Sequence, residues 1–358
     1  MSWLPPYMKP EDVATNCRAD QHYSCMMAST VGGMYKSHTP DITFLIPYGT
    51  DSQNRFENLC DVLCWISFTT TAKVELYISE TEKAFSSFRW FDLDSAIEQY
   101  QAGNKKEVDD SVKEILYDNM CIHRMHKNEF GQLFFYGIAL EDFKDRVNIH
   151  IERRSDDAPF HRTKYLNEML TRVTTPYCAN HDADVILSRD GLLTSIGMLR
   201  TSDTDIVYPY GYGKYQVMIH ERVGPGSINL EKLILTGDGT GIVSSLGTGT
   251  MIWDAKYGQS IIYRTDSYKK VFGENEEFIS WGPEDVERYV RSYRFKMKIA
   301  RISTHIFHLE HPRGSESSTS NSKFNHNEDL WQKIQNLKAE ELLEYYENLE
   351  YVKRYGWS

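Results

Sequence analysis

The fold is decided by residues 41–78, which read DITFLIPYGTDSQNRFENLCDVLCWISFTTTAKVELYI. Residues 42–46 are a short apolar run rich in β-branched side chains, and a proline and a glycine close it, as in a buried strand that ends in a loop. Apolar residues recur at helical spacing over 56–66, and a second apolar run over 74–78 predicts the next strand. A strand, a helix and a strand in this order predict an α/β domain.

Further along the chain the α/β alternation is interrupted and then resumes. Residues 85–135 are mostly polar and helical in character, so we expect a helical insertion there. A strand is predicted at 147–151, a helix with its apolar face between 166 and 173, and another strand around 182–187. Together these elements predict a single sheet flanked by helices.

The domain organisation that we expect has three parts. Residues 1–40 show no clear period and form an N-terminal extension, residues 41–313 form the α/β domain, and residues 314–358 form a flexible linker followed by an amphipathic helical tail. Late in the α/β domain a helix is predicted to begin at Gly282-Pro283, because proline suits the first helical position. Its spacing predicts a buried stripe made of Val286, Tyr289, Val290 and Tyr293.

Composition and charge narrow the class of protein. The 358 residues are 41% hydrophobic and 25% charged, as in globular proteins, and they include 23 Tyr, 16 Phe and 7 Trp, a content that suits sugar and base stacking. The formal charge of −11 disfavours nucleic acid as a partner. No apolar stretch reaches the roughly 18–20 residues of a membrane span, and residues 1–12 lack the layout of a secretory signal, so we expect a cytoplasmic protein.

The cysteines indicate reduced thiols. Six cysteines are scattered along the chain without any Cys-x-x-Cys unit, which fits neither a disulfide framework nor a structural zinc site. Cys60 and Cys64 lie four residues apart on a predicted helix, and we interpret them as core packing.

Two carboxylates lie just before an apolar strand, in the sequence His181-Asp182-Ala183-Asp184. Two residues apart on extended chain, Asp182 and Asp184 can point to the same side and offer hard oxygen ligands to Mg²⁺ or Mn²⁺. An Asp-x-Asp sequence by itself more often marks a solvated loop. His308 and His311, three residues apart late in the chain, would add imidazole nitrogens to a metal held by those carboxylates.

A third group of residues is Trp281-Gly-Pro-Glu-Asp285, at the start of a predicted helix. The indole of Trp281 offers a flat face for a sugar ring, and the carboxylates of Glu284 and Asp285 can accept a hydroxyl proton. The same residues could also form an ordinary capped helix with a core tryptophan.

The order of these elements resembles the GT-A glycosyltransferases. A strand ending in Ile46-Pro47 comes first, and the segments Phe160-His-Arg-Thr-Lys-Tyr-Leu-Asn167, Asp182-Ala-Asp184 and Asn275 to Asp285 and a late histidine follow. The group that it resembles most carries the β-1,4-galactosyltransferase-like C-terminal domain and includes relatives of chondroitin polymerase. The resemblance spans residues 41–313, and the Trp-Gly-x-Glu-Asp element is its most specific part.

The resemblance implies a metal-dependent, inverting transfer of a sugar from a nucleotide donor, most simply a UDP-sugar, to a hydroxyl acceptor. Asp182 and Asp184 would bind Mn²⁺ or Mg²⁺ on the donor diphosphate, with His308 or His311 completing the metal shell. Asp285 would be the general base, and Glu284 would shape the pocket. The residues implied in donor binding are Pro47, Tyr48, Gly49, Arg55, Asp156, Asp157, Arg162, Asn167, Asp182 and Trp281.

The chain departs from the family pattern at two positions near the sugar. Pro283 replaces the second glycine of the usual Trp-Gly-Gly-Glu-Asp, and Gly273-Glu274 replaces the usual Gly-Gly. These departures leave open which sugar is carried.

Other functions remain open from the sequence. A metal-dependent nucleotide-sugar hydrolase or nucleotidyltransferase would also place two carboxylates on one metal, and a non-catalytic carbohydrate-binding protein would explain the aromatic content. For a transferase the expected acceptor is a growing glycan, with a phage or viral protein or modified DNA as the alternative. A basic stripe is interpreted as the solvated face of a helix, with a phosphate-bearing acceptor or an anionic membrane surface as the alternative; it comprises Arg288, Arg291, Arg294, Lys296, Lys298 and Arg301.

Overall fold

The structure is a computed structural model of the chain. It describes residues 39–49, 52–81, 144–155, 157–219, 251–312 and 317–357, and also residues 102–104, 106, 110, 112–114, 116, 126–127, 133–134 and 314. Residues 1–38 of the predicted N-terminal extension and most of the predicted insertion therefore lie outside the described residues.

The described strands are numbered in chain order: β1 (Ile42–Tyr48), β2 (Lys73–Thr81), β3 (His126–Lys127), β4 (Leu133–Phe134), β5 (Val147–Arg154), β6 (Tyr177–His181), β7 (Val185–Leu187), β8 (Ile206–Tyr208), β9 (Gly213–Ile219), β10 (Met251–Ala255), β11 (Ser260–Arg264), β12 (Ile299–Arg301) and β13 (Ile306–Leu309). The described helices are α1 (Gln53–Thr69), α2 (Arg162–Arg172), α3 (Arg189–Thr201), α4 (Thr265–Lys270), α5 (Glu284–Arg294), α6 (Phe324–Gln335), α7 (Ala339–Asn348) and α8 (Glu350–Tyr355).

The main sheet has seven strands in the order β12-β8-β11-β6-β1-β2-β5. β1 pairs in parallel with both β2 and β6, and β11 runs antiparallel to β6. The predicted strand, helix and strand of residues 41–78 are β1, α1 and β2. All seven residues of β1 are buried, which explains why its sequence is apolar except for Thr43 rather than alternating.

A second sheet of four strands, in the order β10-β9-β13-β7, corrects the expectation of a single sheet. The strand predicted around residues 182–187 is in fact two strands that belong to different sheets. β6 ends at His181 in the main sheet, and β7 begins at Val185, where it pairs with β13. The Asp-Ala-Asp segment is therefore the turn by which the chain passes from one sheet to the other.

The core lies between the main sheet and its helices. α1 begins after Ser52, whose hydroxyl accepts a hydrogen bond from the backbone of Arg55 at 3.3 Å. Cys60 and Cys64 are buried and free, as the core interpretation predicted. Trp65 is fully buried and stacks on His181, with ring centroids 5.7 Å apart, so α1 packs directly against the end of β6.

Helix α5 begins where predicted, but the face that it buries was predicted incorrectly. Tyr293 of the expected apolar stripe is 66% exposed. The buried face instead carries Glu287, Arg288 and Arg291, each 1% exposed. Arg291 binds Glu287 within the helix, and Arg288 binds Glu274 outside it, so these charges are buried as ion pairs. The basic stripe inferred from the sequence is consequently not a continuous solvated surface.

The helices of the C-terminal tail are present as predicted and pack against the α/β body. Leu330, Ile334, Leu342 and Tyr346 form a second apolar cluster with Phe272 and Phe278. None of the helices that the structure describes is both long and apolar enough to span a membrane.

Candidate metal centre and active site

The turn that carries the two aspartates is closed by His181. Its Nε2 donates a hydrogen bond to the Val185 carbonyl at 2.9 Å, and its Nδ1 accepts one from the Ser260 hydroxyl at 2.8 Å. Burial lowers the pKa of His181 to about 4, so the ring is neutral near pH 7 and keeps this pattern of one donor and one acceptor. His181 thereby holds the chain on both sides of residues 182–184.

Asp184 meets two histidines from the end of the second sheet. Its Oδ2 lies 3.0 Å from His311 Nε2, and its Oδ1 lies 3.9 Å from His308 Nε2. Strand pairing accounts for the contact, because His308 in β13 lies opposite Val185 in β7. The three side chains each offer one ligand atom, and these atoms lie within 4.8 Å of one another. The structure thus brings together three of the four residues predicted to bind metal.

Asp184 is ionised, as a metal ligand must be; burial would lower the pKa of His311, but the hydrogen bond to Asp184 raises it, so a bound metal would displace a proton there. Burial would raise the pKa of Asp184, but His308, His311 and Arg55 outweigh it and hold the carboxylate ionised. The Nδ1 of His311 donates to the Pro312 carbonyl at 2.8 Å, which directs Nε2 toward Asp184. The buried Nδ1 of His308 has no hydrogen-bond partner. One carboxylate and two imidazoles fit Mn²⁺ better than Mg²⁺, which prefers oxygen ligands throughout.

Asp182, the fourth predicted ligand, lies against Arg162 instead of joining this group. Arg162 Nη2 donates to Asp182 Oδ1 at 2.7 Å and to Asn180 Oδ1 at 3.0 Å. Burial raises the pKa of Asp182, and the negative charges of Asp184 and Asp285 add to that rise, while Arg162 opposes it. Arg162 therefore compensates the charge of Asp182 and fixes its orientation.

Arg162 also connects the two aspartates to the start of α5. Its Nη1 lies 3.9 Å from Asp285 Oδ1 and has no hydrogen-bond partner of its own. Asp182 and Asp285, far apart in sequence, consequently flank one guanidinium. The metal-binding group and the predicted base thus border the same site.

Asp285 is held as an anion. Burial would raise the pKa of its carboxyl group, but Arg288 and Arg162 together lower it. Arg288 Nη2 binds Asp285 Oδ1 at 2.7 Å, while Arg288 Nη1 binds both oxygens of Glu274 at 2.9 and 3.0 Å. The other oxygen of Asp285 lies over Gly258, where an added Cβ would be 2.3 Å away.

Glu284, next to Asp285, is instead held in its neutral, protonated form. Burial raises its pKa to about 8, and the neighbouring charge of Asp285 adds to the rise. Its Oε2 is buried without a hydrogen-bond partner. Adjacent carboxyl groups whose pKa values are pushed apart in this way give one neutral and one ionised group near pH 7.

The predicted donor-binding residues lie in different surroundings, and two of them are part of a buried strand. Pro47 and Tyr48 belong to strand β1 rather than to a loop, and Tyr48 is only 1% exposed. Gly49 lies against Phe160, since an added Cβ would be 2.8 Å from that ring. Asp156 lies outside the described residues.

Asn167 is buried within the protein rather than exposed to a nucleotide. Its Oδ1 accepts from the Glu274 backbone at 2.8 Å, and its Nδ2 donates to the Glu274 carbonyl and to Glu276 at 2.8 and 3.1 Å. It is 0% exposed, so it holds the 274–276 loop to α2 and cannot line a nucleotide pocket. This contact corrects the role that the family resemblance implied.

An aromatic surface beside Asp285 was not predicted. The Tyr257 ring lies 4.5 Å from Tyr289 and 6.0 Å from Tyr212, measured between centroids, and Tyr212 is 56% exposed. The carbonyl of Tyr257 accepts a hydrogen bond from Arg288 at 2.8 Å, so this surface adjoins the group that holds Asp285. Arg288 itself was missed as a site residue, although its position three residues after Asp285 on a helix was a usable signal.

A comparison of the sequence with known protein families finds a match over the segment that carries Asp285, His308 and His311. Residues 251–312 match a sequence family described as the N-terminal domain of galactosyltransferase. The matched segment contains α5, Asp285 and both histidines of the metal-binding group. No curated protein is significantly similar to the chain in sequence.

Several solved structures resemble the chain at low identity. The catalytic domain of Drosophila β1,4-galactosyltransferase 7, in complex with xylobiose, is 12% identical; the alignment covers 86% of this chain and 83% of that chain, with a TM-score of 0.38. A mannosyltransferase from Pyrobaculum calidifontis, in complex with GDP-Man and Mn²⁺, is 10% identical, with 97% and 84% covered and a TM-score of 0.41. TarS from S. aureus is 13% identical, with 75% and 37% covered and a TM-score of 0.39.

The predicted α/β fold class is confirmed by the central sheet and its flanking helices. The predicted resemblance to galactosyltransferases is confirmed by the family match over residues 251–312.

Proposed function

We propose that the chain transfers a sugar from a nucleotide donor, a UDP-sugar, to the hydroxyl of a glycan, with inversion at the transferred carbon. The observation that carries this proposal is the position of Arg162. It lies between Asp182, which is two residues from the metal-binding group, and Asp285 at the start of α5. A metal-held leaving group and a base can therefore act on one sugar from different sides.

Asp184, His308 and His311 are the residues that would hold the metal. Mn²⁺ bound there would stabilise the negative charge that develops on the departing diphosphate. Arg162 supports the same role, because its buried Nη1 makes no hydrogen bond and only a 3.9 Å ion pair with Asp285, so it is a cationic donor that suits a phosphate oxygen. These residues fit a nucleoside diphosphate better than an uncharged ligand.

Asp285 would accept the proton of the acceptor hydroxyl as that oxygen bonds to the sugar and the bond from the sugar to the diphosphate breaks. The products are a glycoside, a nucleoside diphosphate and a protonated Asp285. Arg288 and Arg162 keep the carboxylate ionised and oriented before the reaction. A single displacement of this kind inverts the anomeric centre.

A carbohydrate acceptor is supported by the aromatic surface next to Asp285. The rings of Tyr212, Tyr257 and Tyr289 are contiguous, and half-exposed aromatic rings of this kind stack on sugars. Polysaccharide synthesis, with a glycan as acceptor, remains the proposal. The cytoplasmic location stays a prediction from the sequence.

A thermal-shift experiment tests the proposal. UDP-, GDP-, CMP- and TDP-sugars are each added with Mn²⁺, with Mg²⁺ or with EDTA, and a bound donor raises the melting temperature. We expect a shift for UDP-sugars with Mn²⁺, a smaller one with Mg²⁺, and none with EDTA. In Asp184→Ala the metal dependence should disappear. No shift with any nucleotide sugar would contradict the proposed donor and metal site.

A further inference from the structure

The C-terminal tail reaches the edge of the active site through Asn327 of α6. This side chain is 0% exposed. Its Oδ1 accepts a hydrogen bond from the Ile279 backbone at 3.2 Å, and its Nδ2 donates to the carbonyls of Ile279 at 2.8 Å and Trp281 at 3.2 Å. Asn321 adds a second hydrogen bond to the Trp281 carbonyl at 2.9 Å. The side-chain amides of Asn321 and Asn327 therefore both bind the backbone carbonyl of Trp281.

That backbone needs support from its surroundings. Ser280 has a φ of +62°, in the left-handed region that non-glycine residues rarely adopt. At Gly282, an added Cβ would lie 2.8 Å from both the Cβ and Nδ2 of Asn327, so the segment and the tail are in direct contact. A backbone in such a conformation persists only where surrounding contacts fix it. Asn327 supplies contacts on both sides of Ser280.

The tail also contacts the indole of Trp281. The ring of Phe324 stacks on it, with centroids 5.7 Å apart and planes at 16°. Trp281 nevertheless remains 40% exposed. Helix α5, with Glu284 and Asp285 in its first turn, begins three residues later. One side of the indole is therefore held by the tail, while part of the ring stays exposed, four residues before the proposed base in the chain.

We propose that Asn327 is a positioning residue for the acceptor: together with Asn321 and Phe324 it sets the place of Trp281, and Trp281 provides a stacking face for the acceptor sugar. This inference rests on the proposed function and extends it to the tail. The residues that serve the active site then include part of the tail, beyond the domain boundary that the sequence predicted at residue 314. Asn327 itself touches no substrate and acts only through Trp281.

Asn327→Ala tests the inference, and Asn336→Ala is the matched control. Asn336 lies in the same tail at an exposed position, and its Nδ2 donates to the Gln332 carbonyl one turn earlier rather than to residues 279–282. The protein is labelled with 5-fluorotryptophan, and Trp281→Phe identifies the Trp281 signal among the 7 tryptophans in ¹⁹F NMR. Kinetics are measured with a panel of p-nitrophenyl glycosides as acceptors, and donor binding is measured by calorimetry with UDP-sugar and Mn²⁺.

In Asn327→Ala we expect the Trp281 signal to move or broaden and the acceptor KM to rise roughly tenfold or more, because a small displacement of a positioning group has large kinetic effects. Donor affinity should stay within about twofold, since the metal-binding group lies on other elements. Asn336→Ala should match the wild type in all three measurements. Asn321→Ala and Phe324→Leu give the same test if Asn327→Ala does not fold.

The outcomes separate this inference from the function on which it rests. A wild-type protein that binds no nucleotide sugar with Mn²⁺ contradicts the proposed function, whatever the tail does. A wild-type protein that binds donor, with a variant whose Trp281 signal and acceptor KM are both unchanged, overturns only the role of Asn327. A displaced Trp281 signal with an unchanged acceptor KM also overturns it, because Trp281 would then not contact the acceptor.

Discussion

Neighbouring carboxyl groups take opposite charge states at the start of α5, and their surroundings explain the difference. The Asp285 side chain is 31% exposed and touches two guanidinium groups. Glu284 is 7% exposed and its Oε2 has no partner. Only the ionised group is suited to accept a proton, so the adjacent acids have separate roles.

Asp285→Asn should retain donor binding and lose turnover. The amide has the same shape and can still accept a hydrogen bond from Arg288, but it cannot take the acceptor proton. General-base catalysis contributes about 10²- to 10⁴-fold, so we expect a loss of kcat in that range. Calorimetry with UDP-sugar and Mn²⁺ measures binding, and release of nucleotide measures turnover. Asp266→Asn, at an exposed position in α4, is the control; normal turnover in Asp285→Asn would refute the assignment.

Glu284 should make stability depend on pH. Its pKa is raised by burial from 4.5 to about 8, so the folded state binds this proton more tightly than the unfolded state. The resulting stabilisation is fully present below about pH 4.5 and is lost as the pH rises through about 8, and it amounts to a few kcal/mol at most.

In the variant Glu284→Gln the side chain at position 284 cannot ionise. Its melting temperature should therefore fall less than that of the wild type between pH 5 and pH 9, and the difference should correspond to the pKa shift of Glu284. Glu340→Gln, at an exposed position in α7, should follow the wild-type curve. Parallel curves for wild type and Glu284→Gln would show that Glu284 is already ionised in the folded protein.

Single residues were predictable where the chemistry is local. Asp184, His308 and His311 stand out because carboxylates beside a strand and imidazoles three residues apart are metal-ligand patterns. Asn167 was misjudged because its hydrogen-bond partners at residues 274–276 are brought to it only by the fold. The contact of Arg162 with both Asp182 and Asp285 is equally invisible in a linear sequence.

At the scale of elements, predictions held where neighbours in sequence are neighbours in space. β1, α1 and β2 follow one another directly, and their apolar spacing predicted them. The turn between β6 and β7 was missed because the partner strands, β11 and β13, come much later in the chain. The buried face of α5 was missed because its charged residues are buried as ion pairs, which apolar spacing does not reveal.

The Arg291–Glu287 ion pair tests whether the charged residues of α5 are stable in the interior because they are paired. Arg291 binds Glu287 at 2.9 Å and lies 4.6 Å from the centroid of the Tyr346 ring. Arg291→Met leaves Glu287 buried without its cationic partner, with only the hydrogen bond from the Tyr346 hydroxyl, and should cost about 3–5 kcal/mol of unfolding free energy. The double variant Glu287→Gln/Arg291→Met removes both charges and should cost less than Arg291→Met alone.

Urea denaturation of the wild type, both single variants and the double variant gives the coupling free energy of this pair. Strict additivity of the two single changes, or a cost below about 1 kcal/mol for Arg291→Met, would contradict a buried and mutually dependent pair.

For the whole molecule, the tail and the α/β body form one structure. Tail residues share an apolar cluster with Phe272 and Phe278, and Arg354 binds Glu276. Arg294 donates to the carbonyls of Gln335 and Leu337 at the end of α6. Because these contacts surround the loop before α5, the tail should unfold together with the active site.

Ile334→Ala tests whether the tail and the body unfold together. Ile334 is 2% exposed in α6, and its truncation should cost about 2–5 kcal/mol. If the tail is part of the cooperative unit, calorimetry should show one transition at a lower temperature, and Mn²⁺ with UDP-sugar should raise that same transition. Leu343→Ala, at a position 42% exposed on α7, should change the melting temperature little. A separate low-temperature transition that the donor does not affect would mean that the tail unfolds independently of the active site.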